Sequence, residues 1–148
     1  MIITDTNMGL SGINKKSLHA LGGEAVCFMA HEDVAEKARA EGTTRAVASM
    51  DKAAALYGRE SFDRPVIFAV GNAPTALVRI YQLITQGRIA PALIIGAPVG
   101  FVNVVQSKEL ILELEQTPYI VARGRKGGSN VAAAICNALL YQLSRRNQ

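Results

Sequence analysis

Short apolar runs rich in β-branched residues alternate along this chain with longer stretches in which apolar positions recur every three or four residues. Runs of the first kind read as strands buried on both faces and stretches of the second as amphipathic helices. Their alternation predicts βαβ units and a parallel sheet. Five strands are expected, at Met1 to Thr4, Ala25 to Met29, Val66 to Val70, Leu93 to Ile95 and Tyr119 to Ala122. Caps mark the helices. Asn14 precedes KKSLHAL, which Gly22 closes, and Thr43 or Thr44 precedes RAVASMDKAAALYG, which Gly58 stops. Pro74 sits just inside a helix opened at Asn72 and closed by Gly87, and Ser129 caps a last helix running to about Arg145. The expected class is α/β, a three-layer α/β/α arrangement around a mainly parallel sheet of about five strands.

No internal repeat, low-complexity tract or linker interrupts the pattern, so residues 1–148 read as a single domain. The first strand opens at residue 1 with no element before it, which makes that terminus either a raw domain edge or an internal cut.

Composition narrows the function. With 148 residues, 49% of them hydrophobic, the chain has room for a proper core. Sixteen Lys and Arg against twelve Asp and Glu give a net charge of +4, which suits an acidic ligand. The basic residues are scattered apart from Arg123 to Lys126 and Arg145-Arg146, and with no Trp there is no stacking platform, so nucleic acid is not an expected partner. Cys27 and Cys136 lie in apolar runs without a Cys or His partner at metal-ligand spacing, and read as core residues of a reduced, cytoplasmic protein that holds no metal. No stretch reaches the roughly 18 apolar residues of a membrane span, and no signal peptide opens the chain.

Three Gly-rich junctions follow predicted strands: VGNAPTAL from Val70 to Leu77, IGAPVGF from Ile95 to Phe101, and RGRKGGS from Arg123 to Ser129. Ligands of open parallel sheets bind outside the carboxyl ends of the strands, so these loops are expected to share one crevice. Glycine admits close backbone approach, and a following helix directs free N–H groups into the site. Each glycine taken singly reads as a turn or helix stop, and neither a dinucleotide fingerprint nor a Walker loop is present. The conjunction with Arg125, Lys126 and Ser129 points to a carboxylate-rich or otherwise anionic ligand.

GNAPTAL, then LIIGAPVGFV followed by SKE, then GRKGGS, in this order, resemble the precorrin-8X methylmutase family. The resemblance extends to the opening DTNMGLSGI (Asp5 to Ile13), to Cys27 in the second strand and to Thr44-Arg45, and covers the chain from Asp5 to about Leu139. It implies a homodimeric isomerase of cobalamin biosynthesis that moves one methyl group of precorrin-8X from C-11 to C-12, giving hydrogenobyrinate, or cobyrinate from the cobalt-containing equivalent. No methyl donor or other cofactor is implied. The substrate-binding residues it implies are Asp5, Met8, Thr44 and Arg45, then Gly71, Asn72, Ala73, Pro74 and Thr75. Gly96, Pro98, Val99, Gly100 and Phe101 follow, with Ser107 and Lys108 beyond them, and Gly124, Arg125, Lys126, Gly127, Gly128 and Ser129 complete the set. Arg45, Arg125 and Lys126 are expected to pair with substrate carboxylates, with N–H groups of Asn72 to Thr75 and Gly96 to Phe101 lining the crevice.

Ala46 stands where the family ends its Thr-Arg-Ser, and Gln106 where the family has Glu before Ser-Lys. By analogy of domain length the family carries roughly sixty further residues upstream, among them a Val-His motif whose imidazole is the proposed acid. Neither His19 nor His31 matches that position, so no catalytic residue is identified in this chain. The chain is therefore expected to begin downstream of that acid, to bind a tetrapyrrole and to isomerise it poorly or not at all. Two alternatives are a non-catalytic tetrapyrrole-binding protein and a nucleotide- or phosphate-binding α/β protein, which the same crevice would serve.

Overall fold

In the computed structural model, which describes residues 1–146, five short strands form where the apolar runs place them. They are β1 (Ile2–Thr4), β2 (Ala25–Cys27), β3 (Ile67–Val70), β4 (Leu93–Gly96) and β5 (Tyr119–Val121). They pair in the order β2-β1-β3-β4-β5, every neighbour parallel. Because β1 pairs on both sides, with Thr4 opposite Cys27 and Ala69, all three of its residues are buried. The first strand is thus interior and not an edge. The sheet edges are β2 and β5.

Among the described residues six helices connect the strands and a seventh follows the last: α1 (Asn7–Gly12), α2 (Lys15–Ala20), α3 (Glu32–Glu41), α4 (Arg45–Tyr57), α5 (Pro74–Thr85), α6 (Val104–Leu112) and α7 (Ser129–Arg146). Asn14 caps α2 by accepting the Ser17 N–H at 3.0 Å, and Thr44, not Thr43, caps α4 by accepting that of Val47 at 3.1 Å. The cap position of α5 is Ala73 and not Asn72. Three helices carry only weak local signals. α1 is six residues with two glycines, α3 is polar with only Val34 and Ala38 buried, and α6 starts after Asn103, which holds a left-handed φ of 60° without a side-chain cap.

Two apolar clusters flank the sheet. Met50, Phe68, Leu77, Ile80 and Leu83 join α3 to α6 to one face, and Leu18, Ile95, Ala132 and Cys136 join α2 and α7 to the other. This is the expected three-layer order. From β1 the chain steps first to β2 and then back past β1 to β3, so the topological switch falls between β1 and β3. In open parallel sheets ligands bind outside the carboxyl ends of the strands at such a switch.

Candidate functional site

Asp5 follows β1 directly and is 1% exposed. Its carboxylate accepts three backbone N–H groups of the β3–α5 loop, from Gly71 at 2.8 Å, Asn72 at 2.9 Å and Ala73 at 2.7 Å. Burial pushes the carboxyl above its ordinary range while those donors pull it back down. The N–H groups of Asn72 and Ala73, expected to line the crevice, are thus turned inward to Asp5. Asn72 itself stays exposed, and the Thr75 hydroxyl lies 3.4 Å from that of Thr44.

The other two loops close against this one backbone to backbone. A Cβ on Gly71 would lie 2.5 Å from Ser129 Cα, and one on Gly127 would lie 2.2 Å from the Ala97 carbonyl oxygen. The Gly128 N–H donates to Ala97 O at 2.8 Å. The structure therefore brings the three glycine-rich junctions to one place. Gly96 and Pro98 are buried beneath them, whereas Val99 and Phe101 are exposed, Phe101 at 81%. The Arg125 guanidinium lies 5.8 Å from the Phe101 ring centroid, within cation–π range.

Behind the β5–α7 loop, Lys108 is fully buried and donates to the carbonyls of Gly124 at 2.7 Å and Lys126 at 2.8 Å. Ser107 is equally buried and donates to Val104 O. The Ser129 and Thr6 hydroxyls are 2.7 Å apart, and Thr6 also caps α1 through the Gly9 N–H. Asp5, Ser107, Lys108 and Ser129 thus have their polar atoms engaged by the protein. Met8, Arg45, Asn72, Arg125 and Lys126 are exposed.

Three further residues, Thr6, Arg79 and Asn103, shape the surroundings without a strong signal in the sequence. Thr6 pins α1 to Ser129, and its signal is a threonine just ahead of a short helical segment. Arg79, a charge inside an apolar helix, donates from Nε to the buried Asp51 at 2.6 Å. With Asn103 it lines a groove of about 510 Å³ between α4, α5 and α6, whose walls include Val47, Thr75, Val78 and Leu110. Of the histidines, His31 occupies the N-cap position of α3, its ring edge-on to Phe28 and its Nδ1 2.9 Å from Lys52 Nζ. His19 is exposed in the last turn of α2. Ala46 is buried, whereas Gln106 is an exposed part of the groove lining. Among the described residues no group of three His, Cys, Asp or Glu side chains could hold a metal ion, and no helix is long and apolar enough to cross a membrane.

The family model for precorrin-8X methylmutase matches residues 1–142. A cobalt-precorrin-8 methylmutase of Leptospira interrogans is 46% identical over 154 residues, covering 99% of this chain and 67% of the relative. One of Salmonella typhimurium is 44% identical over 143 residues, covering 97% of this chain and 63% of the relative. The crystal structure of a precorrin-8X methylmutase from Thermus thermophilus superposes with a TM-score of 0.83 at 36% identity, over 98% of this chain and 67% of that one. The chain spans about two thirds of the length of these relatives. On the match of the family model across nearly all its residues and of the fold at this identity, the chain belongs to the precorrin-8X methylmutase family.

Proposed function

We propose that residues 1–148 act as one methylmutase domain in cobalamin biosynthesis, binding precorrin-8X or its cobalt-containing form and supporting migration of a methyl group from C-11 to C-12. The carrying observation is that three glycine-rich loops interlock at the carboxyl ends of the strands, with Arg125 and Lys126 exposed on one of them and Arg45 exposed at the start of α4. Such an edge suits a macrocycle ringed with carboxylates. In the rearrangement the C-11–methyl bond breaks as the C-12–methyl bond forms, so no atom is gained or lost. The work left to the protein is to hold the ring, exclude alternatives and favour its protonated form. Loops tied by backbone hydrogen bonds to buried charges suit that task because they need little reorganisation on binding. The working form is a two-fold homodimer in the cytoplasm.

The test is to mix the chain with precorrin-8X and follow the absorbance change on conversion, with binding of the product hydrogenobyrinate measured in parallel. Conversion supports the full reading. A second reading, tetrapyrrole binding without catalysis, is favoured by the placement of the histidines, since His31 is engaged with Lys52 and neither ring contacts the glycine-rich loops through a hydrogen bond. Saturable product binding without turnover would select it. Absence of both would remove the tetrapyrrole reading altogether.

A further inference from the structure

Lys108 is a buried cation without a counter-ion. Its side chain is fully enclosed, and among the described residues it takes part in none of the ion pairs, which join Lys37 and Arg79 to Asp51, Lys52 to Asp33 and Arg123 to Glu109. Its acceptors are two neutral carbonyls, Gly124 O and Lys126 O. Desolvation alone lowers its pKa, with no charged neighbour to offset it. A buried ammonium held this way is costly, and such groups are ordinarily paired.

The direction of those two carbonyls decides where the loop's N–H groups point. In a trans peptide the C=O and the following N–H point opposite ways, and the described chain contains no cis peptide. Drawing the Gly124 and Lys126 oxygens down to Lys108 therefore turns the N–H groups of Arg125 and Gly127 away from it. Among the described residues neither N–H has a protein acceptor, although the neighbouring Gly128 N–H is bonded to Ala97. Gly124 permits the turn with a φ of 93°. The β3–α5 loop has the reverse polarity, its donors drawn inward by Asp5. Two buried charges of opposite sign thus leave one loop with unpaired donors and the other with its donors spent.

We propose that Lys108 is a positioning residue that builds a carboxylate pocket from the Arg125 and Gly127 amides, its own ammonium supplying the positive charge behind them. A carboxylate fits because its two oxygens can each take one of these N–H groups, as anions are held in concavities lined by backbone amides. The ligand then completes the neutralisation that the protein leaves open. As the occupant in function this assigns one carboxylate arm of the tetrapyrrole, and in that respect it rests on the proposed function; the pocket itself does not.

The experiment is a ¹H–¹⁵N titration of the whole chain with two probes, succinate and hydrogenobyrinate. The expected result is saturable downfield movement of the Arg125 and Gly127 amide protons with both. In Lys108→Met, checked for folding by circular dichroism, these shifts disappear and affinity for hydrogenobyrinate falls on the order of tenfold, the scale of one lost charge-assisted contact. Affinity for a corrin whose peripheral carboxylates are all amides stays unchanged, whereas a merely structural role would weaken both ligands alike. Should Lys108→Met fail to fold, the wild-type titration decides. Movement with succinate but no binding of hydrogenobyrinate sustains the pocket and removes the tetrapyrrole reading. Binding of hydrogenobyrinate with the Arg125 and Gly127 amides unmoved overturns the pocket and leaves that reading intact, and no response to either probe overturns both.

Discussion

The Asp5 carboxylate accepts the Gly71 N–H at 2.8 Å across 66 residues of sequence, tying the end of β1 to the loop after β3 at the switch point of the sheet. With the bonds from Asn72 and Ala73, the loop geometry depends on two acceptor oxygens in one buried side chain. Asp5→Asn keeps the shape but sets an amide NH₂ against N–H donors. It is expected to cost about 2–3 kcal/mol in denaturant unfolding, the scale for orphaned buried donors beside a lost charged acceptor. An unchanged midpoint would show that the loop holds its form without the carboxylate.

Gly71→Ala and Gly127→Ala test the interlock of the loops. The added methyl would meet Ser129 Cα at 2.5 Å in the first case and Ala97 O at 2.2 Å in the second. Both obstacles are backbone, which cannot swing aside as a side-chain tip can, so the loops must part. A loss of about 1–3 kcal/mol is expected for each, as for overpacking elsewhere, together with weaker ligand binding. Wild-type melting temperatures for both variants would contradict the close packing.

Arg45 starts α4, is exposed and joins no ion pair among the described residues. Arg45→Ala should weaken tetrapyrrole binding by on the order of 2 kcal/mol while leaving the melting temperature unchanged. Calorimetric titration and thermal unfolding on the same sample separate the two effects. A drop in melting temperature with affinity intact would make Arg45 structural.

Arg79 and Asp51 form a largely buried pair at 2.6 Å, with Lys37 at 3.8 Å from the other carboxylate oxygen. Arg79→Met leaves Asp51 buried with only the more exposed lysine and is expected to cost about 3 kcal/mol. Combining it with Asp51→Leu should recover part of that loss, because the charge left stranded is gone. A double-mutant cycle by urea unfolding measures the coupling, and additive losses would show that the two residues act independently.

Burial pushes the Cys136 thiol from its ordinary 9.0 up to about 11. The folded state therefore binds more protons than the unfolded one between those values, and stability is lost as pH rises from 9 to 11. Cys136→Ala should flatten the decline in unfolding free energy over that window. In the native protein near neutral pH neither Cys136 nor the buried Cys27 should react with a thiol reagent, and both should do so in guanidinium. Rapid native labelling of Cys136 would overturn this account of its surroundings.

Much of the architecture is legible from local chemistry alone. Apolar β-branched runs place the five strands to within a residue or two, and Asn14 and Thr44 announce α2 and α4 because a cap hydroxyl or amide acts on an N–H only three residues away. The glycine-rich junctions, their order and the family they resemble were equally visible. α3 was not, since a polar helix with two buried positions has almost no periodic signal and exists because it packs on α4. Nor could a strand that opens the chain declare itself interior, because pairing with both β2 and β3 is a relation between segments far apart in sequence. The sharpest limit concerns Asp5 and Lys108. In the sequence each reads as a ligand contact only through the family that its motif resembles. In the structure both are desolvated and spent on backbone groups up to 68 residues away. Propensity and capping act within one turn of chain, whereas the part a charge plays is set by what is packed around it, and only the tertiary structure decides that.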